Sequence, residues 1–109
     1  MYYGNFNSKK DVESYFDVYL DDNIVILLAS YDIEWYEGSA YVLFYNKLDS
    51  KLYEVFGSHC SCYGLEGQWE PEETSVEVIR EKLNRSGYGY AGFDKELKNI
   101  IEEIANGIY

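Results

Sequence analysis

Apolar positions recur at helical spacing at Val12, Tyr15, Phe16 and Tyr19, and Ser8 stands where it can cap the first turn, so residues 9–19 are predicted as a short amphipathic helix. Asp21-Asp22-Asn23 breaks that pattern. The continuous β-branched and apolar run 24–29 then reads as an internal strand covered on both faces. Residues 31–38 alternate acids with bulky side chains and end at Gly38, as in a strand end or hairpin arm whose acids face solvent. Two further strands are predicted over 39–45 and 51–56, joined by Asn46-Lys47-Leu48-Asp49-Ser50, which has the length and chemistry of a hairpin loop. Thr74-Ser75-Val76-Glu77 has the form of a capping box opening a second helix on Val76, Ile79 and Leu83. After a glycine–tyrosine loop over 86–92, with Tyr88 and Tyr90 expected on the surface, Phe93, Leu97, Ile100, Ile101, Ile104 and Ile108 mark a third helix that closes at Asn106-Gly107.

These elements predict an α+β fold: a three-stranded antiparallel meander with one N-terminal and two C-terminal helices packed on it, without internal repeats. The 109 residues fit a single acidic domain, and 47% hydrophobic residues with 13 Tyr and 5 Phe are enough to fill one core. The charge then narrows the function. Twenty acids against nine bases leave a net charge of −11, which repels phosphate backbones and anionic bilayers and steers association toward basic proteins. Direct binding to nucleic acid or a membrane surface is therefore disfavoured. The first residues show no basic segment followed by an apolar one, and no apolar run approaches the roughly 20 residues that cross a bilayer, so a cytoplasmic location is expected.

Residues 57–73 hold both cysteines, the only histidine and the only proline. Three chemistries compete for this stretch. Cys60 and Cys62, at i and i+2, point the same way on an extended chain, and His59 or Glu66 can join them around a metal. A second Cys pair and a second His are lacking, so a closed site needs carboxylates or another subunit. A cysteine nucleophile activated by His59 needs the backbone to turn, because adjacent side chains on a strand face opposite ways. In the structural reading, Gly57, Ser58, Ser61 and Gly64 let a tight loop pack, the cysteines fill small gaps, and Trp69 anchors the loop while Pro71 stiffens its exit. Tyr63, Gln68 and Trp69 also qualify as partner contacts. A disulfide between Cys60 and Cys62 is too tight to be relaxed. No cofactor is expected.

The segment Gly57-Ser58-His59-Cys60-Ser61-Cys62-Tyr63-Gly64-Leu65-Glu66-Gly67-Gln68-Trp69-Glu70-Pro71-Glu72 resembles a family of small bacteriophage and prophage proteins with no assigned activity. The likeness is densest over 51–74 and extends to Gly38-Ser39-Ala40-Tyr41-Val42-Leu43-Phe44. It implies a bacterial host, and it implies an accessory protein that binds and inhibits a host protein, in the anti-restriction or anti-CRISPR manner.

The carboxylates give that expectation a surface. On one continuous helix Glu73, Glu77 and Glu81 would follow at about 6 Å intervals, close to the spacing of backbone phosphates. Glu66, Glu70 and Glu72, with Asp32, Glu34 and Glu37 on the hairpin arm, would extend the field toward a basic cleft such as that of a nucleic-acid-handling defence enzyme. Arg85 is placed to pair with Glu81. A plain solvated face is the competing reading of the same acids, and a thiol- or metal-dependent enzyme centred on His59, Cys60, Cys62 and Glu66 is the competing function.

Overall fold

A computed structural model describes residues 2–34, 37–60, 64–84 and 94–107. The chain forms two compact units, Met1–Glu73 and Thr74–Tyr109, each taken by itself below.

The first unit is built on strand β3 (Glu37–Asn46), which pairs antiparallel with β2 (Ile24–Glu34) on one side and with β4 (Lys51–His59) on the other. Two short strands complete the sheet in the order β1-β2-β3-β4-β5: β1 (Tyr2–Gly4) runs parallel to β2, and β5 (Glu72–Thr74) lies beyond β4. The expected three-stranded antiparallel meander is thereby corrected to a five-stranded mixed sheet, with three helices among the described residues and an α+β fold overall. Strands β2, β3 and β4 are the long antiparallel members of that sheet. The added strands are three residues each, too short to carry a readable period, and β1 joins through pairing with residues 27 positions away (Tyr2 with Ala29).

Alternation along β3 sorts the side chains. Ala40, Val42 and Phe44 face one way, with Ala29 and Tyr31 of β2 and Val55 of β4, and this face is covered by Phe6, Leu65 and helix α1 (Lys9–Phe16) through Val12 and Phe16. A register shift between Ile26 and Leu28 keeps both ends of β2 in phase with that face. Aromatic rings supply much of the packing: Phe6 meets Tyr31 at 5.3 Å, Phe16 meets Trp69 edge-on at 5.1 Å, and Trp69 stacks on Phe44 at 5.6 Å. Each such pair contributes about 1 kcal/mol beyond its buried area.

On the opposite face Leu28, Leu43, Tyr41 and Glu54 are buried. Glu54 lies directly across from Leu43, so its carboxylate reaches the diagonal neighbour Tyr41, whose hydroxyl donates to it at 2.7 Å. A buried carboxylate needs that partner to offset its lost hydration.

Helix α1 begins where Ser8 accepts from the Asp11 amide, but it stops at Phe16 rather than Tyr19. Asp17 adopts a left-handed conformation (φ 56°) and turns the chain out. In the second unit, helix α2 (Val76–Leu83) is capped by Ser75, which accepts from Val78, and not by Thr74, which belongs to β5. Helix α3 (Asp94–Ala105) buries Leu97, Ile100 and Ile101 and ends where Gly107 takes a positive φ of 81° and donates to Ile104. Arg80 of α2 donates to Glu102 of α3 at 2.9 Å. Arg85, Tyr88, Tyr90, Phe93 and Ile108 lie outside the described residues.

Truncating Trp69 removes one ring from the stack on Phe44 and the edge contact on Phe16. Trp69→Ala should lower unfolding free energy by about 3 kcal/mol, read as a shifted denaturant midpoint with an unchanged slope.

Candidate functional site: an acidic cleft at one end of the sheet

The register that builds the core also assembles a cleft where β2 ends, β3 begins and β4 ends. Asp32 pairs with Ser39 and Ser39 with Ser58, which makes one polar row across three strands. The next row brings Ile33, Gly38 and His59 together on the other face. Asp32, Glu37, Ser39, Ser58, His59 and Cys60, with the backbone of Gly38, line a cleft of about 610 Å³ open to solvent. Both carboxylates are exposed.

Gly38 is dictated by His59. A Cβ at position 38 would stand 2.2 Å from the imidazole Nε2, so the ring lies directly on the β3 backbone. The His59 Nδ1 lies 2.9 Å from the Cys60 carbonyl, which can only accept, so Nδ1 carries the hydrogen. Nε2 is left as an acceptor, and the Tyr31 hydroxyl donates to it at 2.5 Å. Burial, then the nearby Tyr15 and Glu66, push the Tyr31 phenol above its ordinary range, which keeps it the protonated donor.

Both ring nitrogens are thus committed, and neither bond is to the Cys60 thiol. Among the described residues, His59 is therefore not paired as a base with the Cys60 thiol. Among the described residues, no three His, Cys, Asp or Glu side chains converge on a point that would hold a metal ion. Cys62, one of the four candidate ligands, lies outside the described residues. Cys60 is an exposed free thiol.

The other expected contact residues are dispersed. Glu66 folds its carboxylate over Gly64, where a Cβ would meet Oε2 at 2.5 Å. Gln68 turns inward: its side-chain oxygen accepts from the Ser58 amide at 2.8 Å and its amide donates to the Gly64 carbonyl at 2.9 Å, so it closes the loop onto β4. Trp69 is packed against the core. Glu70 and Glu72 are exposed. Glu73 sits in β5 and bonds Lys51 at 3.0 Å, so the row Glu73, Glu77, Glu81 does not run along one helix; only Glu77 and Glu81 are on α2. The cause is the cap at Ser75, which leaves 72–74 extended. Glu34 pairs with Glu37 through the backbone, and Tyr63 lies outside the described residues.

Of the residues that line the cleft, Asp32, Glu37, His59 and Cys60 are named from the sequence, whereas Gly38, Ser39 and Ser58 are brought there by strand pairing, and Tyr31 reaches His59 the same way. The available signal was the pairing frame itself: once β3 and β4 are aligned through their hairpin, Gly38 must fall opposite His59.

Among the described residues, no helix is long and apolar enough to cross a membrane. Comparison of the chain with protein-family models, with curated proteins and with solved structures finds no match in any of the three.

Tyr31→Phe leaves Nε2 of His59 without its donor and should cost about 1–2 kcal/mol in chemical denaturation, with the sheet retained by circular dichroism. Alkali tests the same contacts. Tyr31 and Tyr2 are raised chiefly by burial, and Tyr53 and Lys51 chiefly by hydrogen bonds to Asp49 and Glu73. A group raised in the fold contributes stability that is complete below its unfolded pKa and is lost as pH climbs through the folded one. Melting temperature should therefore be insensitive to these groups up to about pH 10 and fall above it. Phenolate absorbance should show some tyrosines ionising late, together with unfolding.

Proposed function

We propose that this protein is a small, phage- or prophage-derived accessory protein that acts in the bacterial cytoplasm by binding, and thereby inhibiting, a basic host protein. The observation that carries the reading is the cleft at the sheet end, where Asp32 and Glu37 stand exposed beside a histidine already bonded at both nitrogens. Such a cleft offers carboxylates to an incoming lysine or arginine without offering a reactive base. The chain's nine bases leave eleven acidic charges uncompensated, which favours fast encounter with a positive surface. Nucleic-acid-handling defence enzymes present such surfaces, and the resemblance to phage proteins makes an anti-restriction or anti-CRISPR inhibitor the sharp form of the proposal. The further acids Glu34, Glu66, Glu70, Glu73, Glu77 and Glu81 contribute to the long-range field rather than to one continuous phosphate-like ladder.

Binding to purified bacterial restriction and CRISPR effector complexes, measured across a salt series, tests this. Affinity should fall steeply as salt rises, and Asp32→Asn with Glu37→Gln should slow association about tenfold while leaving the melting temperature unchanged. Affinity indifferent to salt, or an unaffected double variant, would overturn it.

A further inference from the structure

The imidazole in the cleft is held by more than its own strand. His59 stands on β4 across from Gly38 of β3, and Gly38 in turn pairs with Ile33 of β2. Because position 38 has no side chain, the ring lies over the β3 backbone and reaches the Tyr31 hydroxyl on β2. The bond is a staple across three strands at the cleft end of the sheet. The Cys60 carbonyl fixes the other nitrogen, Nδ1, at 2.9 Å.

The staple as it stands uses the neutral ring. Nε2 accepts from a Tyr31 hydroxyl whose side chain is 2% exposed and packed against Phe6 at 5.3 Å and Tyr15 at 4.9 Å. Protonation turns Nε2 into a donor, so the Tyr31 oxygen would have to accept and its own hydrogen would turn toward those rings. Among the described residues that hydroxyl has no second hydrogen-bond partner.

The same proton changes the charge of the cleft. Asp32 of β2, Glu37 of β3 and the Cys60 thiol line it together with His59, while Glu66 of the loop after β4 and Tyr15 of α1 act on the partner Tyr31. None of the described lining residues is a lysine or arginine, so an imidazolium is the one positive charge that lining can carry. It would cancel one of the two carboxylates. We infer that His59 is a proton-operated switch on the cleft: the neutral ring, stapled to Tyr31, leaves both carboxylates to a cationic group, and the protonated ring releases that group. This rests on the reading of the cleft as a site for basic groups and adds its regulation.

The test titrates the intact protein, at low salt, with a glycine–arginine peptide at about pH 8 and about pH 5.5, the span in which imidazole alone among ordinary side chains changes charge. Backbone amide and imidazole nitrogen signals are followed together. The peptide should shift the amides of Asp32, Ser39 and Ser58 at the higher pH and bind about fivefold more weakly at the lower. In the free protein at the higher pH, the ring hydrogen should sit on Nδ1. His59→Gln should abolish the difference between the two pH values. Tyr31→Phe should keep it but bring the loss on at a higher pH, since the donor that favours the neutral ring is gone. Equal affinity at both pH values, the same loss in His59→Gln, a profile that Tyr31→Phe leaves in place, or a ring hydrogen on Nε2 would sink the switch and leave the cleft reading standing. A peptide that shifts no cleft amide at either pH would overturn both.

Discussion

The alternation of side chains along β3, locked between β2 and β4, is the constraint on which the rest of the first unit depends. It sends Ala40, Val42 and Phe44 into the aromatic core, sends Tyr41 and Leu43 to the other face, and sets Gly38 against His59. A slip of one residue would carry Phe44 to the wrong face, replace the glycine under the imidazole and break the Asp32–Ser39–Ser58 row together. Core and cleft are therefore two readings of one register.

The loop after β4 depends on the same frame. Trp69 can stack on Phe44 only because that ring faces α1, and Gln68 can accept from Ser58 only because the outer edge of β4 is open there. Gly57 allows the approach: a Cβ at that position would stand 2.9 Å from Leu65 and 3.4 Å from Phe16. The cluster of unusual residues that looks most like a reactive loop is in large part a device for closing the sheet. Its glutamine and tryptophan are occupied internally, and its histidine is held by Tyr31 and by its own chain.

The electrostatic picture divides along similar lines. Exposed pairs such as Lys51 with Glu73 and Arg80 with Glu102 contribute little to stability, as solvent screens both partners. Their importance is positional: one ties β5 to β4 and the other ties α2 to α3. Most of the acidic excess is left unmatched by bases, and the proposed activity rests on that surplus.

The sequence by itself determined the three long strands, the three helices and the caps at Ser8 and Gly107, because hydrophobic period and cap chemistry are local properties. It also determined the acidic excess of the chain, because net charge does not depend on the fold. It misplaced the second cap by one residue, since Thr74 and Ser75 are equally good caps and only the pairing of 72–74 beside β4 decides between them. It extended α1 to Tyr19, since the left-handed turn at Asp17 leaves no mark in the apolar spacing. Tertiary structure alone decided the parallel addition of β1, the bond from Tyr31 to His59 across 28 positions, and the removal of Glu73 from the helix. Each of these joins residues that are distant along the chain, and such pairings follow from the lowest-energy packing of the whole unit rather than from any pattern a short window can hold.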